Sequence, residues 1–243
     1  MKPEINSKFK KGSHVGIVVS FVIFLVFITL LYILLQPSIN SNTKKGFAEY
    51  LEARVINKTS ENLKKISVKI TSLSPLDCVK LAGFLSAAEV GIHLKVVDGT
   101  SESVTSNVDG NDLFIERNSN LFFKVSESSE FDASSSGGIT PCQTINEGSS
   151  GYDIGLIKTS SYVFESKIID LIDEYAADYS SLRDEFNLAS GDEFGVSLIY
   201  NNGTEISTNG AEVPLSVYIK KTPVQYINSK GGIESGSLII KIW

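Results

Sequence analysis

The sequence predicts an α+β fold behind a membrane anchor, on three observations. One uncharged apolar run lies near the N-terminus, short alternating segments follow from residue 61 onward, and an amphipathic helical stretch spans 162–186. The run Val15–Leu35 (VGIVVSFVIFLVFITLLYILL) contains no charged residue. As a helix it covers roughly 30 Å, the thickness of a bilayer's hydrocarbon core. A helix satisfies its backbone polar groups within one segment, as a single span in lipid must. Ser20 and Thr29 can return their hydroxyls to the preceding turn, and Tyr32 suits the outer interface. The run exceeds the roughly 7–15 apolar residues of a secretory signal, and no Ala-x-Ala follows, so a retained anchor is expected. Lys2, Lys8, Lys10 and Lys11 precede the span closely, whereas Lys44, Lys45 and Arg54 follow at a distance. The positive-inside rule then predicts a single-pass cell-membrane protein with a cytoplasmic N-terminus and an extracytoplasmic C-terminal domain.

Pro37 is expected to end or kink the span. Phe47, Tyr50, Leu51 and Val55 recur at helical spacing, which predicts a stalk helix over 43–56. The organisation expected is a basic leader at 1–12, a membrane helix at 13–36, a stalk at 37–60 and a domain at 61–243. In the domain, 64–70 and 91–97 alternate, the latter placing Ile92, Leu94 and Val96 on one face. Residues 112–117 and 121–125 read as a hairpin turning at 118–120, and 76–90 as a short helix. The Ser- and Gly-rich stretch 126–151 reads as loop. Over 162–186, Ile168, Ile172, Tyr175, Tyr179, Leu182 and Phe186 form one stripe, with Asp170, Asp173, Glu174, Asp178 and Asp184 opposite; this predicts one long helix laid on a mainly antiparallel sheet. Residues 193–200 and 204–207 predict a hairpin through Asn201-Asn202-Gly203. Strands at 213–220, 224–227 and 237–242 complete the pattern, with Pro214 and Pro223 at strand ends or edges.

Composition narrows the function classes. The net charge is −6, and the first 36 residues hold four Lys and one Glu, which leaves 18 basic against 27 acidic residues beyond them. That balance argues against a general nucleic-acid binder. Cys78 and Cys142, the only thiols, predict one disulfide in an oxidising compartment. Asn57-Lys58-Thr59 and Asn202-Gly203-Thr204 are N-x-[ST] sequons, so Asn57 and Asn202 are candidate glycosylation sites. His93 is the only histidine after the span and reads as a solvated strand residue; His14 sits at the inner membrane edge. Asp109, Asn111 and Asp112 form a polar turn without the calcium-loop pattern. There is no G-x-S-x-G, Walker, G-x-G-x-x-G or C-x-x-C motif. No cofactor, metal or catalytic constellation is expected. Gly16 and Ser20, one turn apart, are the expected helix–helix contact points in lipid.

Lys10-Lys11-Gly12, directly before Ser13 and the apolar span, resembles the leader of type IV prepilins and archaeal class III signal peptides. The resemblance covers residues 8–35. It implies cleavage after Gly12, with Ser13 as the new N-terminus and an apolar helix retained to pack in a filament. Many pilins carry a glutamate five residues after the cut; Ile17 stands there in this chain. The expected function is a membrane-anchored structural or interaction protein of pilin-like kind, not an enzyme, whose partners are the lipid bilayer and other protein subunits. The alternative is an extracytoplasmic sensor or accessory subunit of a membrane complex.

Overall fold

The structure is a computed structural model that describes residues 14–72, 76–188, 191, 193–208 and 217–243, with backbone alone at 14–15 and 35–43. The chain divides into two compact units, Met1–Phe47 and Ala48–Trp243. Helix α1 (His14–Thr59) begins in the first. Its segment Gly16–Leu34 is 19 residues long with a mean hydropathy of 3.1 and is wholly exposed. By length and composition it can cross a membrane. Thr29 Oγ1 donates to the Leu25 carbonyl at 2.8 Å, the bond to the preceding turn that the sequence suggested. Pro37 does not end the helix. A proline removes one backbone hydrogen bond and does not by itself forbid helical φ.

The second unit starts with the end of α1 and runs through β1 (Ser60–Ile70), β2 (Cys78–Leu81), α2 (Phe84–Ala88), β3 (Leu94–Asp98), β4 (Ser106–Asp109), β5 (Asp112–Glu116), β6 (Phe122–Glu127), β7 (Gln143–Ile145) and β8 (Tyr152–Phe164). Then come α3 (Glu165–Ala177), α4 (Tyr179–Glu185), β9 (Phe194–Tyr200), β10 (Glu205–Ser207), β11 (Tyr218–Ile227) and β12 (Ile233–Ile242). The larger sheet has the order β10-β9-β12-β11-β8-β1-β6-β3 and the smaller β4-β5-β2-β7. Pairing is antiparallel except at β8–β11 and β2–β7. The fold is therefore α+β with a mostly antiparallel sheet. Ile66, Val68 and Ile70 of β1 and Phe123 and Val125 of β6 are packed in one core with Leu81 and Ile115 of the smaller sheet. Lys64 Nζ donates to the carbonyls of Ala88 (2.8 Å) and Glu89 (2.7 Å), satisfying acceptors that the C-terminus of α2 leaves open.

Several expectations are corrected. The stretch 76–90 is not one helix: Cys78–Leu81 is an inner strand and Phe84–Ala88 alone is helical. β5 and β6 do not form a hairpin. β5 pairs with β2 and β4, and β6 with β1 and β3, so Asn118 and Ser119, both at positive φ, carry the chain from one sheet to the other. Leu113, Phe114 and Ile115 are buried consecutively, because β5 is covered on both faces. Ile92 lies before β3 and is exposed. The serine-rich stretch contributes β7 and the buried Phe131.

The single helix expected over 162–186 is two helices. Tyr162–Phe164 finish β8, and the chain breaks at Asp178 (φ −149°, ψ 76°), whose carboxylate caps α4 by accepting from Ser181 N at 3.0 Å. β11 continues through Pro223, which is tolerated because Tyr218–Gln225 pairs with β12 on one side and meets β8 only beyond it, at Tyr226 and Ile227. The β9–β10 hairpin forms through Asn201–Gly203 as expected, with Gly203 at φ +85°. Residues 213–216, including Pro214, lie outside the described residues.

The second compact unit takes in the end of α1 from Ala48. Ala48, Leu51, Val55 and Thr59 recur every three to four residues and are fully buried. Thr59 Oγ1 meets the Val55 carbonyl at 2.7 Å, which allows a hydroxyl in that stripe. Ion pairs flank it: Glu52 with Lys220 at 2.6 Å, and Lys58 with Glu174 (3.0 Å) and Glu185 (2.5 Å). Leu51→Ala is expected to cost about 2–5 kcal/mol in chemical denaturation of the second unit; a loss below about 1 kcal/mol would show that the stripe is not part of the core.

Burial pushes the Glu52 carboxyl up, but hydrogen bonds from Lys220 and Thr222 outweigh it, and its pKa lies below the ordinary value. Glu61 is also lowered, by the Asn62 backbone N–H and Lys167. A carboxyl with a depressed folded pKa stabilises the fold above its unfolded value of about 4.3, and that stabilisation is lost as pH falls through the folded value. Acid unfolding should therefore set in below about pH 4, and Glu52→Gln should make the low-pH limb shallower. An unaltered limb would remove Glu52 from the account.

Candidate functional site

The two thiols meet. Cys78 opens β2 and Cys142 directly precedes β7, its parallel neighbour; the two are disulfide-bonded with Cα atoms 4.5 Å apart. The closed loop is worth about 4 kcal/mol on the chain-entropy account. It ties the serine-rich stretch to an inner strand.

His93 is not a solvated strand residue. It lies in the bend before β3, half-buried, with Nδ1 2.7 Å from the Phe131 carbonyl. A carbonyl only accepts, so Nδ1 is the donor in this contact. Glu127, Ser128 and Ser129 line the same groove, yet no hydrogen bond joins the ring to either serine. The Ser–His contact that nucleophilic catalysis requires is not made. The polar turn at Asp109–Asp112 closes the β4–β5 hairpin. Asp112 Oδ1 accepts from Gly83 N at 2.8 Å and Oδ2 pairs with Lys80 at 2.6 Å, so its carboxylate orders β2 and α2. Among the described residues no group of three or more His, Cys, Asp or Glu could hold a metal.

A polar cleft went unnoticed in the sequence, because it joins residues far apart in the chain. Glu165, Tyr200, Tyr226, Asn228 and Glu234 line it. Tyr200 donates to Glu165 Oε1 at 2.7 Å, and Ser229 N donates to Oε2 at 3.1 Å. Tyr226 donates to Glu234 Oε2 at 2.8 Å, and the Asn228 amide donates to Oε1. Burial and the adjoining carboxylates raise both phenols, which stay protonated. All four carboxylate oxygens thus hold a donor: Glu165 ties α3 to β9 and to the turn after β11, and Glu234 ties β12 to β11 and the same turn. The signal available beforehand was weak: two tyrosines and two glutamates at strand and helix ends.

The remaining candidates differ in setting. Gly12 and Ser13 lie outside the described residues. Gly16 and Ser20 share one face of α1 with Phe24 around a shallow notch, and a Cβ added at Gly16 would meet nothing within 4 Å. Asn57 is exposed in the last turn of α1, but its sequon threonine, Thr59, is buried and hydrogen-bonded. Asn202 is exposed at a hairpin tip, and its Oδ1 accepts from Thr204 N (3.0 Å) and Oγ1 (2.7 Å). No family model, curated protein or solved structure matches this chain.

A glycan transferase acts on accessible loops, so peptide mass mapping of the native protein should find any N-glycan at Asn202 and none at Asn57. Glycan at Asn57 with Asn202 bare would contradict the helical, buried setting of Thr59.

Proposed function

We propose that this chain is a membrane-anchored extracytoplasmic subunit that works by contact, in the manner of a pilin-like structural protein. The observation that carries this reading is the Gly16–Leu34 segment, uncharged and wholly exposed, with a notch at Gly16 and Ser20. An apolar helix that is exposed among the described residues needs lipid or other helices around it. The four lysines before the span favour a cytoplasmic N-terminus. The disulfide supports an oxidising compartment for the second unit. The Lys10-Lys11-Gly12 leader supports processing after Gly12. The carboxylates held by tyrosine, amide and backbone donors, and the His93 ring bonded to a backbone carbonyl, favour contact over catalysis.

Small residues let helix backbones approach in lipid, so the Gly16/Ser20 face is the assembly seam. Gly16→Leu together with Ser20→Leu should abolish co-sedimentation of differently tagged copies from mildly solubilised membranes while the Cys78–Cys142 link still forms. Undiminished co-sedimentation removes that seam. A chain that begins at Met1 in native membranes and co-purifies with a heterologous complex would favour the accessory-subunit reading instead.

A further inference from the structure

Strand alternation sorts β1 and β6 into two faces. Ile66, Val68, Phe123 and Val125 enter the core, so Lys65, Lys69 and Lys124 point to the reverse face. The register adds Lys158 of β8 opposite Lys65, and Lys95 of β3 opposite Ser126. Five lysines thus share one sheet face in a part of the chain rich in acidic residues. The ion pairs among the described residues use Lys58, Lys80, Lys167, Arg183, Lys220 and Lys241, and none of these five. Lys65 and Lys158 are direct cross-strand neighbours, a like-charge arrangement that weakens a sheet, and Lys65 turns aside to donate to the Tyr162 hydroxyl at 2.7 Å. Between Lys69 and Lys124 lies a largely apolar groove of about 370 Å³. Its lining includes the small residues Ser67, Gly99 and Gly155, the ring of Phe122, which is 57% exposed, and Asp153, the cross-strand partner of Lys69, with which it forms no ion pair.

A matching surface exists on α3. Ile168, Leu171 and Tyr175 are buried, which turns Ile169, Asp170 and Asp173 to solvent. Ile169 is 42% exposed, and neither aspartate makes an ion pair among the described residues. Positions three and four apart on a helix are neighbours, so Asp173 stands beside the apolar knob Ile169, and Asp170 stands beside Asp173. α3 packs against Val163 and Tyr226. Val163 shares its sheet face with Ser60, and hence with Ile66, while the lysines occupy the reverse face. The buried side of α3 thus packs on the sheet face opposite to that of the lysines.

We propose that the lysine face of one copy docks the α3 surface of a second copy, Ile169 entering the groove and Asp170 and Asp173 pairing with Lys69 and Lys124. The contact uses different surfaces on its two sides, so it propagates from copy to copy and does not close a two-fold dimer. This inference rests on the reading of the chain as a self-assembling subunit.

The test uses full-length protein in mild detergent, followed by sedimentation. Self-association should weaken about tenfold or more in Lys69→Glu/Lys124→Glu and equally in Asp170→Lys/Asp173→Lys, and should fall with salt. Mixing the two reversed variants should restore it, because each then supplies the surface the other needs. Carbodiimide cross-linking of a mixture of isotopically light and heavy chains should join Lys69 or Lys124 of one copy to Asp170 or Asp173 of another. Retention of the Cys78–Cys142 link confirms that each variant folds. Loss of association without restoration on mixing overturns the pairing and assigns the lysine face to another anion. Association untouched by either reversal overturns it too, while leaving the self-assembly reading in place. A chain that stays monomeric under all conditions overturns both.

Discussion

The buried stripe of Ala48, Leu51, Val55 and Thr59 is the constraint on which the second unit depends. Thr59 ends α1 and Ser60 begins β1 with no linker between them. β1 is an inner strand, flanked along its length by β6 and β8, so the helix end is joined covalently to the middle of the larger sheet. Burial of the stripe fixes the direction in which β1 departs. The ion pairs of Glu52 and Lys58 then connect the same turns to β11, α3 and α4. Such partly exposed pairs contribute little stability one by one. Their effect is register: they favour one rotation of the helix, the one that buries Leu51 and Val55.

The chemistry of the second unit is largely spent on its own structure. Asp112 orders a strand and a helix start, Asp178 caps α4, and Glu165 and Glu234 each have both oxygens occupied. The thiols are joined to each other. What makes no ion pair among the described residues is surface charge: Lys69, Lys124 and Lys158 on β1, β6 and β8, and Asp170 and Asp173 on α3; the segment Gly16–Leu34 adds exposed apolar area. Unspent charge and unspent apolar area are resources for association rather than for bond-making.

The sequence was legible where one physical rule acted alone. An apolar run of 21 residues identifies itself, as do the Asn201–Gly203 hairpin and the alternation of Ile66, Val68 and Ile70. It misled where two rules overlapped. Tyr162, Val163 and Phe164 fit a helical stripe as well as a strand end, and pairing of Val163 and Phe164 with β11 decided for the strand. Leu113–Ile115 carries no alternation because both faces of β5 are covered, so its partners were unreadable and a false hairpin resulted. The carboxylate–tyrosine cleft was invisible for another reason: its members come from four separate elements, and only the sheet order brings them together. The basic face was hidden by an acidic total, because net charge averages over surfaces that alternation keeps apart.

Native-state hydrogen exchange over residues 48–70 tests the central claim most directly. If the end of α1 belongs to the core, the amides of Leu51–Thr59 exchange as slowly as those of Ile66–Ile70, through the same global opening. Fast exchange over Leu51–Thr59 beside a protected β1 would contradict the account, for it would make the helix end a tether and not the foundation of the sheet.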